Sequence, residues 1–139
     1  MRSSGAVCEL LIFDSHDEPG LEVPKGTVEL GESLEDAVRR ELLEEARIQS
    51  VSIVDCVGSA RWQDEVQHGF IVEPSEVLAD AFSHQVTSEG IDRNFVYRFS
   101  WFPIAIALEK ELVQGCGQFV HCLLEHRGRP ELKLDTCPF

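Results

Sequence analysis

The alternation and clustering of apolar positions predict a series of short elements. Residues 6–13, AVCELLIF, form a β-type run that ends at the turn-rich segment from Asp14 to Gly20. Residues 21–24 read as a short second strand, and Lys25 to Glu32 is a loop punctuated by Gly26 and Gly31. Ser33 is a good N-cap with Asp36 three positions on, a variant capping box, so a helix is predicted from here to about Arg47. Alternation resumes at 51–54 and 63–72, which read as strands, followed by a polar loop. Residues 94–102, NFVYRFSWF, predict a further strand with Phe95, Tyr97, Phe99 and Trp101 on one face. Residues 117–126 predict a second helix that packs on the sheet. Strands interspersed with at least two helices predict an α/β fold on a mixed β-sheet. With no repeat or linker in view, residues 1–139 are expected to form a single domain.

Composition narrows the function classes. Hydrophobic residues at 43% and charged residues at 27% exclude wholesale disorder. The 25 acidic residues against 12 basic give a net charge of −13, a field that opposes binding to duplex nucleic acid. A small phosphorylated substrate stays open, because divalent cations bridge carboxylates to phosphate. The longest apolar block, Trp101 to Leu108, is broken by Pro103 and falls short of a membrane span. The first residues lack the layout of a signal peptide, so the expectation is a cytoplasmic protein without membrane contact. The five cysteines, Cys8, Cys56, Cys116, Cys122 and Cys137, form no CxxC pair. They are expected to be reduced thiols, mostly buried, with no disulfide and no zinc site.

The chemistry concentrates in residues 26–48, GTVELGESLEDAVRRELLEEARI. On a helix Glu41, Glu44 and Glu45 fall within an arc of about 100° and one turn of depth. Three carboxylates so placed repel one another, and Arg40 supplies a single neighbouring cation. An acidic helical face of this kind is often merely solvated. A hard divalent ion such as Mg²⁺ instead favours closely placed carboxylate oxygens. The preceding glycine loop, leading into a helix N-terminus, suits a phosphate-bound metal.

This segment resembles the Nudix box, GX5EX7REUXEEXGU with U aliphatic. Gly26, Glu32, Arg40, Glu41, Leu42, Glu44, Glu45 and Ile48 stand at eight of its nine specified positions. Arg47 is the departure, where the box has a glycine that usually ends the helix in a left-handed conformation. The expectation is that the helix still ends there, with Arg47 strained. Looser similarity lies in Val23-Pro24-Lys25-Gly26 and in Trp101-Phe102-Pro103.

The resemblance implies a Nudix-like α/β/α sandwich around a mixed β-sheet, and hydrolysis of a nucleoside diphosphate linked to another moiety by water attack on a phosphoryl group. It implies Mg²⁺, or alternatively Mn²⁺, held by Glu41, Glu44 and Glu45 with a carbonyl of Lys25 or Gly26 as an extra ligand. Glu41 matches a position often given base or water-orienting work. Arg40 and Glu32 match positions that brace the loop against the helix. Glu89 and Asp92 are candidates for a loop acid or fourth metal ligand, with Glu65 and Glu73 behind them. Partners implied are a small nucleotide substrate and, since dimers are common in the family, a second copy of the chain. Two alternatives stand beside this reading: a pyrophosphohydrolase of dinucleoside polyphosphates or capped RNA, and a catalytically silent module that binds a nucleotide or ADP-ribose.

Other residues carry weaker signals. His68 and His84 are isolated and read as structural. Trp62, Phe70, Tyr97 and Trp101 have the rings to stack a base, but alternating aromatics on strands more often fill a core. Arg93 and Arg98 are candidates for a distal phosphate, against surface pairing with acids. Ser59 and Ser83 show no neighbouring His/Asp order that would mark a nucleophile.

Overall fold

In the computed structural model, which describes residues 1–4, 7–113 and 115–127, the two most apolar strands pair with each other. In chain order the elements are β1 (Arg2–Ser4), β2 (Val7–Ser15), β3 (Leu21–Glu22), α1 (Leu34–Ala46), β4 (Val51–Trp62), β5 (Glu65–Pro74), β6 (Ala81–Gln85), β7 (Val96–Pro103), α2 (Ile104–Glu109) and α3 (Gly117–Arg127). A five-stranded sheet runs β1-β2-β7-β6, with β3 paired to β2. β4 and β5 form a separate antiparallel hairpin. The ladders of both sheets are antiparallel, and a parallel bridge joins Leu21 to Leu112. This mixture of helices and sheets is an α/β fold.

The period-two pattern of β2 and β7 places side chains on both faces of the larger sheet, and both faces are covered. Leu11, Phe13, Tyr97, Phe99 and Trp101 join Ala46 of α1, with Leu42 packed against them, in one cluster. Ile12 joins Ile104 and Ala107 of α2 and Val120 of α3 in the other. Phe95 packs against the first cluster, so the aromatic face read from residues 94–102 is real and forms core. Phe13 stacks on Tyr97 at 4.1 Å, and Phe82 on Phe99 at 4.9 Å, which orders the ring layer.

Several elements depart from expectation. β4 continues to Trp62 through register shifts near Asp55 and Gly58, which break the alternation visible at 51–54. β6 lies within the segment read as a polar loop; it is an edge strand on which Phe82 and His84 are half-buried. α2 begins just after Pro103, at the end of β7, inside the apolar block. Cys8, Cys116 and Cys122 are reduced thiols, but Cys56 is disulfide-bonded, which corrects the expectation of thiols throughout. Cys137 lies outside the described residues. Among the described residues no helix is long and apolar enough to cross a membrane.

Candidate functional site

Both ends of α1 are set by local chemistry. The Ser33 hydroxyl accepts the Asp36 N–H at 3.1 Å and donates to Asp36 Oδ2 at 2.7 Å. The reciprocal arm of the capping box thus closes on the hydroxyl, and a cap of this kind contributes about 1 kcal/mol. At the other end Arg47 has φ 57° and ψ 27°, in the left-handed region. Its N–H donates to the Leu43 carbonyl at 3.0 Å, and the Ile48 N–H donates to Leu42 at 3.1 Å. The Arg47 bond to Leu43, four residues back, is that of an αL cap, and Leu42 packs against the cluster that contains the buried Ile48. Arg47 occupies the strained glycine position, as the sequence led us to expect.

Arg40 ties the loop before the helix to the helix itself. Its Nε and Nη2 donate to the two oxygens of Glu32 at 2.9 and 3.0 Å, a bidentate pair. Nη2 also donates to the Thr27 carbonyl at 2.8 Å, while Nη1 donates to Glu41 at 2.7 Å and Glu44 at 3.3 Å. Glu32 in turn accepts the Glu29 N–H at 3.0 Å. The Arg40 hydrogen bond, helped by that amide, holds the Glu32 carboxyl below its ordinary range. Arg40 is itself raised above the usual guanidinium range, first by Glu32 and then by Glu41, against the cost of burial.

The three helical glutamates occupy different environments. Glu41 lies against Gly26 so closely that a Cβ on that glycine would stand 1.8 Å from its carboxyl carbon. Glu44 shares Arg40, and its main-chain carbonyl accepts the Thr87 N–H at 3.1 Å, with His84 Nε2 3.1 Å from the same oxygen. Glu45 is only 3% exposed and accepts the Lys25 N–H at 3.0 Å. Burial pushes Glu45 well above the usual carboxylate range, with the Glu41 and Asp92 charges adding to it. Burial also raises Glu41, in spite of Arg40. Lys25 is the second cation: burial opposes its charge, but Glu22 at 3.1 Å and the nearby Glu45 outweigh that and raise it. Among the described residues Arg40 and Lys25 therefore face Glu22, Glu32, Glu41, Glu44 and Glu45, with Glu29 and Asp92 adding further negative charge nearby. As they stand, no three His, Cys, Asp or Glu side chains among the described residues are arranged to enclose a metal ion.

Of the loop acids, Asp92 reaches this group and Glu89 has no described contact with it. Asp92 accepts the Ser88 hydroxyl at 2.9 Å and the Tyr97 hydroxyl at 3.1 Å. Burial, Glu45 and Asp92 together raise the Tyr97 phenol far above its ordinary range. Ser88 and the Tyr97 hydroxyl are missing from the sequence reading; the Ser88/Asp92 spacing within one polar loop was the available signal. Glu22, buried and paired with Lys25, is also missing from it.

A cleft of about 720 Å³ has Glu41, Lys25 and Gly26 in its lining and lies between α1, the β4–β5 hairpin, α3 and the larger sheet. Trp62, Phe70 and Trp101 line it, as does Glu65; Tyr97, Glu73, Arg93 and Arg98 do not. Arg98 pairs with Asp14 at 2.8 Å, the surface role weighed for it. His84 braces the end of α1, whereas His68 lines the cleft with its Nδ1 2.7 Å from Ser59 Oγ. Ser59 therefore does have a histidine neighbour, brought across the hairpin by pairing of residues nine apart in sequence.

Comparison with curated proteins found no match. The family profile described as NUDIX domain matches residues 3–121, a span that takes in both sheets, the loop–helix segment and the Asp92 loop. With most of the chain covered and the Arg40-centred loop–helix junction inside the match, the protein belongs to the NUDIX domain family.

Proposed function

We propose that the chain is a Mg²⁺-dependent pyrophosphohydrolase that cleaves a nucleoside diphosphate linked to a second moiety, by water attack on a phosphoryl group. The family's general activity, hydrolysis of nucleoside diphosphate derivatives, is the starting point. The observation that carries the finer reading is the charge deficit: among the described residues Arg40 and Lys25 are the cations paired with Glu22, Glu32, Glu41, Glu44 and Glu45, with Asp92 adjoining, and both Glu22 and Glu45 are buried. Buried carboxylates without enough cations are costly, and a hard divalent ion on an all-oxygen donor set offsets that cost. Gly26 fits this account, since any side chain there would fill the space the Glu41 carboxylate occupies.

Glu41, Glu44 and Glu45, with a carbonyl of Lys25 or Gly26, are the groups that would hold the ion. A bound ion supplies charge neutralisation at the diphosphate and activation of water. Glu41, which lines the cleft, is suited to orient the attacking water and take its proton. Asp92, held by Ser88 and Tyr97, is the better supported extra acid, ahead of Glu89. Arg40 and Glu32 hold the loop against α1 so that these groups keep their spacing. The three-layer α/β/α description belongs to the same proposal, supported by α1 on one sheet face and α2 with α3 on the other.

The test is a phosphate-release screen across dNTPs, ADP-ribose, diadenosine polyphosphates and nucleotide sugars, with and without Mg²⁺ or Mn²⁺. Turnover that requires the divalent ion is expected. Nucleotide binding without turnover at saturating metal would replace the enzyme reading with a silent binding module.

A further inference from the structure

The cleft beside Glu41 is built for something other than phosphate. Its walls include Val57, Trp62, Phe70, Phe119, Trp101 and Leu123, drawn from the hairpin, α3 and the larger sheet. Among its described lining residues the basic groups are the Lys25 and His68 side chains and the Met1 amino group, which donates to the Val72 carbonyl and is pushed down to about 6 by burial. The Lys25 ammonium is committed to Glu22 at 3.1 Å, and His68 Nδ1 is 2.7 Å from the Ser59 hydroxyl. Glu41 and Glu65 add negative charge to the lining. Each phosphate beyond the first two would carry its charge into this space with no uncommitted cation among the described residues to meet it, and desolvation of such a charge is heavily penalised.

We infer that this cleft binds the second moiety of the substrate, and that the moiety is uncharged and apolar. The inference rests on the pyrophosphohydrolase reading and narrows it. The diphosphate stays beside Glu41, while the organic group extends between the hairpin and α3. Burying such a group in apolar surroundings is favourable in proportion to its area, whereas a polyphosphate bridge or a second charged nucleotide gains nothing there. Substrates with a single diphosphate are therefore preferred over dinucleoside polyphosphates.

Four compounds that share the adenosine diphosphate unit test this: its hexyl and methyl esters, ADP-ribose and diadenosine tetraphosphate. The hexyl ester is expected to have a KM at least about tenfold below that of the tetraphosphate, which equals one decade of affinity. Val66 lines the cleft and is 53% exposed, so Val66→Lys should fold and should supply the missing cation. That variant should improve KM for the tetraphosphate by up to about fivefold, the scale of an exposed charge pair, and weaken the hexyl ester. Phe70→Ala should raise KM for the hexyl ester while leaving the methyl ester of ADP unchanged. Calorimetric affinities for the same compounds read the preference without turnover. Failure of hydrolysis therefore strikes only the catalytic reading. Tighter binding of the tetraphosphate by the unmodified protein, or a Phe70→Ala effect equal on methyl and hexyl esters, overturns the apolar cleft.

Discussion

The Glu41 carboxylate occupies the volume in which any side chain at Gly26 would have to sit, with a built Cβ only 1.8 Å from its carboxyl carbon. Gly26 is not among the residues of positive φ, so its backbone tolerates alanine and the conflict falls on the far end of Glu41. Gly26→Ala is therefore expected to fold normally while displacing the carboxylate by an ångström or more. A shift of that size at a reacting centre costs up to about 10²-fold in turnover. Thermal melts beside kcat measurements check the pair of outcomes, and an active Gly26→Ala enzyme would remove Glu41 from the chemistry.

Glu45→Gln keeps the shape and the acceptor for the Lys25 N–H while deleting a buried charge. Turnover should fall by about 10²-fold or more, because transition-state charge loses a preorganised partner. Stability without metal should hold or rise, since the removed charge is one that burial disfavours. Calorimetric titration with Mg²⁺ supplies the direct readout: affinity equal to that of the unmodified protein contradicts the assignment.

Arg47→Gly relieves a left-handed conformation that costs a non-glycine residue about 1 kcal/mol. Glycine also gains freedom in the unfolded chain, which takes back part of the benefit. The expected outcome lies between neutral and about 1 kcal/mol more stable, an upward shift of the melting midpoint of at most a few degrees. A clearly lowered midpoint would show that the Arg47 side chain contributes more than its backbone costs.

The raised Glu41 and Glu45 carboxyls make the metal-free protein sensitive to pH in a definite direction. From the ordinary value of 4.5 up to their raised folded values, the folded state binds protons that the unfolded chain has released. Stability from these groups is full below that window and is lost as pH rises through it. Glu32, lowered by Arg40, acts oppositely: its contribution is lost only as pH falls below the same ordinary value. Melts in EDTA from about pH 5 to about pH 8 should therefore decline, and saturating Mg²⁺ or Glu45→Gln should flatten the slope. A flat profile in EDTA would mean that the two carboxyls ionise freely in the fold.

Much of this was legible in residues 25–48 because local rules decide it. Ser33 caps, the carboxylates recur at helical spacing, and Arg47 falls where a left-handed residue must end the helix. The β2 and β7 core strands were legible for the same reason, since alternation alone assigns their faces. The sequence hid what depends on distant partners. β6 has only Phe82 and His84 half-buried, too weak a period to distinguish it from a loop. α2 was masked because Pro103 ends one apolar element and opens another without a polar break. The meeting of Asp92 with Tyr97, Glu41 and Glu45 arises from folding the loop over α1, which no local pattern encodes.

The separateness of the β4–β5 hairpin has an evolutionary consequence. It shares no described ladder with the sheet on which α1 rests, yet it forms a wall of the cleft. If the cleft holds the substrate's second moiety, replacing Val57, Val66 or Phe70 would reshape what the protein accepts while the carboxylate cluster keeps its framework. On the proposed reading, selectivity and chemistry would be carried by two parts that can diverge at different speeds, and remodelling one arm would change the substrate.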